Sequence, residues 1–173
     1  NCTAETGCMT GLSGTGAGQI RFAFGITLDE EGNIWTLEPF SRRVQKFSPA
    51  GEFLLTVGGE VNKTKVKKRE EQEANAEPVT GTEAEENLCT AASGDECGEG
   101  VSGTGAGQFS FPGSIDAAEL GGSGIVYVGD ENRILEFAED GTYEGDIVLP
   151  GAGSTDALAV APDGSLYVVS AKV

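Results

Sequence analysis

The chain contains no histidine. That absence removes the commonest general base, the commonest transition-metal ligand and the usual switch near neutral pH. Serines are plentiful, but none sits in a G-x-S-x-G elbow and no imidazole exists to take its proton, so a serine hydrolase is excluded. Thiol catalysis lacks a base for the same reason. Positive charge is scarce as well: 11 Lys plus Arg stand against 28 Asp plus Glu, a formal net charge of −17 that repels nucleic-acid phosphates and anionic lipid surfaces. No apolar run approaches the roughly 20 residues of a membrane helix, and no basic amphipathic helix is visible.

What the 173 residues do hold is glycine, 27 in all, with 38% hydrophobic content and 7% aromatics. This composition predicts many short strands joined by tight turns. The string SGTGAGQ occurs twice, from Ser13 and again from Ser102, each copy after a cysteine pair and before an apolar run. Self-similarity at a fixed offset implies units that stack on their neighbours to bury their apolar faces. The cysteines, Cys2 with Cys8 and Cys89 with Cys97, fall as local pairs in polar loops, as small disulfides of an exported, extracellular or cell-surface protein would. A four-thiolate metal site is the competing reading, but the spacings exceed the C-x₂₋₄-C of structural zinc. The chain opens in a loop and ends part-way through a third unit, which suggests a portion of something longer.

The first unit splits into four runs: Ile26 to Asp29, Ile34 to Leu37, Arg43 to Phe47 and Phe53 to Val57. The second runs from Phe111 to Leu149 with the same grammar, with turns at Gly121 to Gly124 and Glu139-Asp140-Gly141. A third supplies one hairpin around Asp163-Gly164. Four-stranded antiparallel units of about 40 to 45 residues with Gly and Asp turns are the grammar of β-propeller blades. The expected fold is all-β, with about two and a half blades, open or part of a larger ring. The divisions are an entry loop at 1–19, a first blade at 20–59, a charged insertion and disulfide loop at 60–107, a second blade at 108–150 and half a third at 151–173. Three blades cannot close a ring of about four to eight, so further blades or other chains are expected as partners, with glycans as a further class.

The run GITLDEEGNIWTLE…RRVQKFSPAGEFL resembles the NHL repeat, with its G-I-A-V-D start, G-N-[IV]-[YW]-V hairpin, [NH]-R-[IV]-x-x-F strand and D-G-x-F turn. Asn132 to Phe137 and Asp140-Gly141 carry the match in the second unit, and Asp163-Gly164 with Leu166-Tyr167-Val168 in the third. Ser114-Ile115-Asp116-Ala117 departs from the usual start. The whole is similar to the tandem NHL-repeat proteins exported by actinobacteria. The resemblance implies a propeller that binds protein or glycan partners and assembles. Related lyases and lactonases place metal ligands on innermost strands, where this chain offers Asp116, Asp156 and Thr27.

Functional expectations follow residue by residue. No catalytic residue and no cofactor is expected. Calcium is the one plausible ion, with Asp29, Glu31 and Asn33 as candidate oxygen ligands, although acidic hairpin turns are ordinarily solvated. Asn1 and Asn62 begin N-x-[ST] sequons. Trp35, Tyr127 and Tyr167 occupy equivalent second-strand positions and are read as packing between units, whereas Phe40, Arg42 and Arg43 are candidates for partner contact. The charged insertion is expected to hold a short helix from about Val66 to Ala76, but to be solvated and undocked for want of an apolar stripe. The function read from all this is a non-enzymatic interaction and assembly scaffold. Its rivals are a structural subunit of a filament or surface appendage, and a metal-assisted lyase or lactonase.

Overall fold

The computed structural model describes residues 12–172. Alternation and turn chemistry place the strands where the sequence predicts them. Strands β1 (Gly25–Leu28), β2 (Ile34–Glu38), β3 (Arg43–Phe47) and β4 (Phe53–Val57) form an antiparallel meander. A later strand, β5 (Leu88–Thr90), adds to its outer edge through β4. Strands β6 (Pro112–Leu120), β7 (Ser123–Asp130), β8 (Arg133–Ala138) and β9 (Tyr143–Val148) form a second meander, and β10 (Ala152–Val160) pairs with β11 (Leu166–Lys172) in a third, two-stranded sheet. The fold is thus mostly β, built from antiparallel sheets, none of them closed.

The sheets stack face on face. Strand period two sends Trp35 and Leu37 to one side of β2 and Thr36 and Glu38 to the other. Trp35 and Leu37 join Val44, Leu55 and Val57 against Ile115, Val126, Val128, Leu135 and Phe137 of the second sheet, forming the main core. The opposite side of the second sheet meets β10, where Thr155 is buried and its carbonyl accepts from Ser114 Oγ at 3.2 Å. Each sheet therefore offers one kind of face to the sheet before it and another to the sheet after it.

The charged insertion departs from expectation. It is tethered at several points, although Val66 is the one buried residue of its longer helix. Helix α1 (Lys63–Ala74) begins three residues earlier than predicted because Asn62 caps it, its side chain accepting from the Lys65 N–H. Arg69 of this helix pairs with Glu60 at 2.8 Å and with Glu86 at 3.0 Å, at the end of the short helix α2 (Glu83–Glu86). The Cys89–Cys97 disulfide then folds the return strand onto a small satellite core with buried Val61 and half-buried Phe53. Three fixed points replace the missing apolar stripe: a capped helix, a paired strand and a covalent clip.

Candidate functional site

Both copies of SGTGAGQ wrap around an arginine from the sheet that follows them. In the first copy, Arg43 on β3 donates to the carbonyls of Thr15, Gly16 and Gln19, and to Gly98 of the disulfide loop at 3.2 Å. In the second, Arg133 on β8 donates to Thr104 and Gln108, both at 2.8 Å. Each guanidinium is held in turn by an acid across the hairpin, Glu38 at 3.1 Å and Asp130 at 3.2 Å. Those acids also accept from the backbone just after the loop, Arg21 N–H for Glu38 and Ser110 and Phe111 N–H for Asp130. The motif glutamine closes the turn, Gln19 accepting from Gly16 N–H and Gln108 from Gly105 N–H. A Cβ at Gly14 or Gly103 would collide with that glutamine, and Gly18 and Gly107 hold φ +69° and +70°. The repeat is a clamped loop whose chemistry is spent on holding itself down.

The remaining interior charges are equally committed. Lys46, buried, pairs with Asp29 at 2.9 Å and lies 5.0 Å from the Trp35 ring centre. Burial pushes the Asp29 carboxyl up, but hydrogen bonds from Asn33, Lys46 and Trp35 outweigh it and hold the pKa below its ordinary value. Of the calcium candidates Asp29, Glu31 and Asn33, Asp29 is paired with the Lys46 ammonium, and the Asn33 Nδ2 group donates to both Asp29 and Glu31. Asp116 is a tie between sheets, accepting from Thr27 Oγ1 at 3.1 Å and from the Val160 N–H at 2.9 Å. Asp156 accepts from Ser154 Oγ. Among the described residues, no group of three or more Cys, Asp or Glu is arranged to hold a metal ion.

An acidic cleft of about 400 Å³ opens where the turns of the three sheets meet, lined by Leu28, Glu30, Glu119, Glu139 and Pro162 among others. The Glu30 pKa is raised by its hydrogen bond to Glu119 and by that neighbour's charge. That of Glu139 is raised first by burial and then by Asp29. The carboxylates here repel one another.

The surface tells a different story. Phe40 sits in a β2–β3 turn two residues longer than its β7–β8 counterpart. Its ring meets Phe22, Phe24 and Phe111 edge-on, at centroid distances of 5.9, 5.6 and 5.8 Å, and all four rings are exposed. Arg42 beside it is half-buried at φ +46°. Arg43 is fully buried in the loop clamp, so it is corrected from a partner contact to an internal tether. Asn62, the second sequon asparagine, is buried, and its Nδ2 donates to Asp95 at 2.9 Å and to the Leu88 carbonyl. The disulfide joins Cys89 to Cys97 as expected. Asn1, Cys2 and Cys8 lie outside the described residues.

Apolar side chains are also exposed at the two ends of the stack. Ile26 and Leu28 on β1 correspond by register to Ile115 and Ala117 on β6, because Gly25 pairs with Leu37 as Ser114 pairs with Gly129. Ile115 is 8% exposed and Ile26 70%. At the other end Tyr167 is 64% exposed, whereas its equivalents Trp35 and Tyr127 are 0% and 3%. The packing expected of Trp35 and Tyr127 is present, and that of Tyr167 is unfilled. Sequence reasoning missed the clamps, whose signal was the pairing of each glycine loop with one arginine in the third strand of its unit. No protein-family model matches this chain, and no curated protein matches it. Among the described residues no helix is long and apolar enough to cross a membrane.

Proposed function

We propose that this chain is an exported, non-enzymatic scaffold of the NHL-propeller kind, in which the three sheets are successive blades and the open faces and loop ends receive other protein chains. Support comes from the reuse of one clamped loop before each meander, from the packing of each sheet on the next, and from a disulfide suited to an oxidising compartment. The observation that carries the reading is the contrast at equivalent positions: side chains buried between sheets inside the chain stand exposed at its two ends. Contiguous apolar surface of this kind marks an interaction site. The interior charges, by contrast, are neutralised by loop carbonyls and by one another.

The test has two arms. An apolar fluorescent dye is expected to bind the native protein and to lose most of its signal in an Ile26→Ser, Tyr167→Ser double variant that unfolds at the same urea concentration. The second arm offers ester, lactone and polyuronate substrates with calcium or zinc, and no turnover is expected. Turnover abolished by Asp116→Asn, or a native protein that binds no dye, would remove the scaffold reading.

A further inference from the structure

We infer that the exposed phenylalanines at the junction of the first two sheets, with Arg21 and Arg42 beside them, form a docking surface for an acidic segment of another protein that carries aromatic or aliphatic side chains. The inference rests on the scaffold reading and gives one of its loop surfaces a class of partner. Phe40 and Phe111 are its anchors. Both belong to a junction whose two sheets are present, yet they are 55% and 48% exposed, so this patch arises inside the stack and not at either end of it. The repeat explains how the rings meet. Phe22 and Phe111 each stand three residues after a copy of SGTGAGQ, and the Phe40 ring is in edge contact with both and with Phe24. Contiguous exposed rings of this kind mark an interaction site.

The turn that carries Phe40 is pinned from both sides. The Arg42 N–H donates to the Pro39 carbonyl at 3.2 Å, and the Ser41 carbonyl accepts from the Gly100 N–H at 2.7 Å. A Cβ on Gly58 or Gly100 would strike the Arg42 carbonyl, so the turn lies directly on the disulfide loop. An aromatic anchor held this way pays little ordering cost on binding. Charge then selects the partner. Arg43, Lys46, Arg69 and Arg133 each have a carboxylate, whereas among the described residues Arg21 and Arg42 have none, and the Arg42 Nε has no hydrogen-bond partner. The acids that bond the backbone here, Glu38 at Arg21 and Asp130 at Phe111, are already neutralised by Arg43 and Arg133. The patch is therefore apolar with a positive margin in a chain of net charge −17. Screening limits the other acids to a reach of about 8 Å at physiological salt, so a peptide confined to the patch meets the arginines. A membrane or a duplex brings the rest of the acidic surface within that distance.

A phage-displayed library of random short peptides, panned on the 173-residue protein, tests this. The enriched sequences are expected to combine Asp or Glu with Phe, Leu or Trp. Fluorescence anisotropy then measures the leading peptide in synthetic form. Phe40→Ser is expected to weaken it by about tenfold or more, as loss of a central aromatic anchor does. The Arg21→Gln, Arg42→Asn double variant is expected to weaken it too and to flatten its dependence on sodium chloride, Asn being chosen because it tolerates the positive φ of Arg42. Urea melts check the folding of both variants. If either unfolds, the peptide must slow amide exchange of the wild type at 22–24, 39–42 and 109–111. No enrichment, enrichment of basic or uncharged sequences, equal affinity for Phe40→Ser, a salt dependence unchanged in the arginine variant, or protection elsewhere would overturn the inference. So would binding of a polyuronate or of anionic vesicles in place of the peptide. A native protein that binds the apolar dye while no acidic peptide enriches leaves the scaffold reading standing without this inference, whereas turnover abolished by Asp116→Asn would remove the reading itself.

Discussion

Arg43 stabilises three things at once: the SGTGAGQ turn, the disulfide loop through Gly98, and the Glu38 carboxylate beneath both. Arg43→Met removes the cation, leaving the Glu38 carboxylate uncompensated, with only the Arg21 N–H and Gln45 Nε2 donating to it, and several carbonyls without their donor in a fully buried site. Breaking a buried pair from one side costs about 3–5 kcal/mol, so urea unfolding should show a loss of that size. Removing the acid as well relieves the uncompensated charge. The Glu38→Gln, Arg43→Met double variant is therefore expected to be more stable than Arg43→Met alone, and a double-mutant cycle would read the coupling directly. Equal stability of the single and double variants would mean that Glu38 is not the partner that matters. Arg133→Met should cost less, because its side chain is 10% exposed and Asp130 keeps three backbone contacts from Ser110 and Phe111.

At the scale of elements, the insertion between β4 and β6 depends on a clip of short reach. The Cys89–Cys97 bridge spans eight positions, and loop-closure entropy for so small a ring gives about 2–3 kcal/mol. The Cys89→Ser, Cys97→Ser variant should lose that much in urea. Its faster amide exchange should be confined to β5 and the residues around Asn62, leaving β2 and β7 unchanged. The meanders were legible because Phe53 to Val57 alternates and Ile125 to Val128 is a short apolar run, each between clear turns, and turn chemistry fixes where such runs stop. Strand β5 was not legible: three residues, Leu88 to Thr90, carry no period, and they pair with β4 because the disulfide and the Asn62 cap bring them back. The clamps were half legible. The arginine strand and the glycine loop each stand out, but their meeting depends on register, which no local pattern encodes. Arg43 looked like a surface charge for that reason, and the Lys46 partner of Asp29 was hidden because it comes from β3.

For the whole molecule, a net charge of −17 in a fold of crowded carboxylates makes stability a function of pH. Glu139 and Glu86 are pushed above their ordinary 4.5, each first by burial, and Glu30 is raised by its hydrogen bond to Glu119. These groups bind protons more readily when folded, so they add stability as the solution is acidified. Their contribution is complete below 4.5 and lost as pH rises through the raised values. Asp140 and Asp29 lie on the other side: backbone hydrogen bonding from Thr142 lowers the first, and hydrogen bonds led by Asn33 outweigh burial to lower the second below 3.8. Their contribution is present above 3.8 and lost as pH falls through the lowered values. The two trends cross between 3.8 and 4.5, and there the urea midpoint should peak, well below neutrality. A Glu139→Gln variant should flatten the limb above that peak and leave the acid limb unchanged.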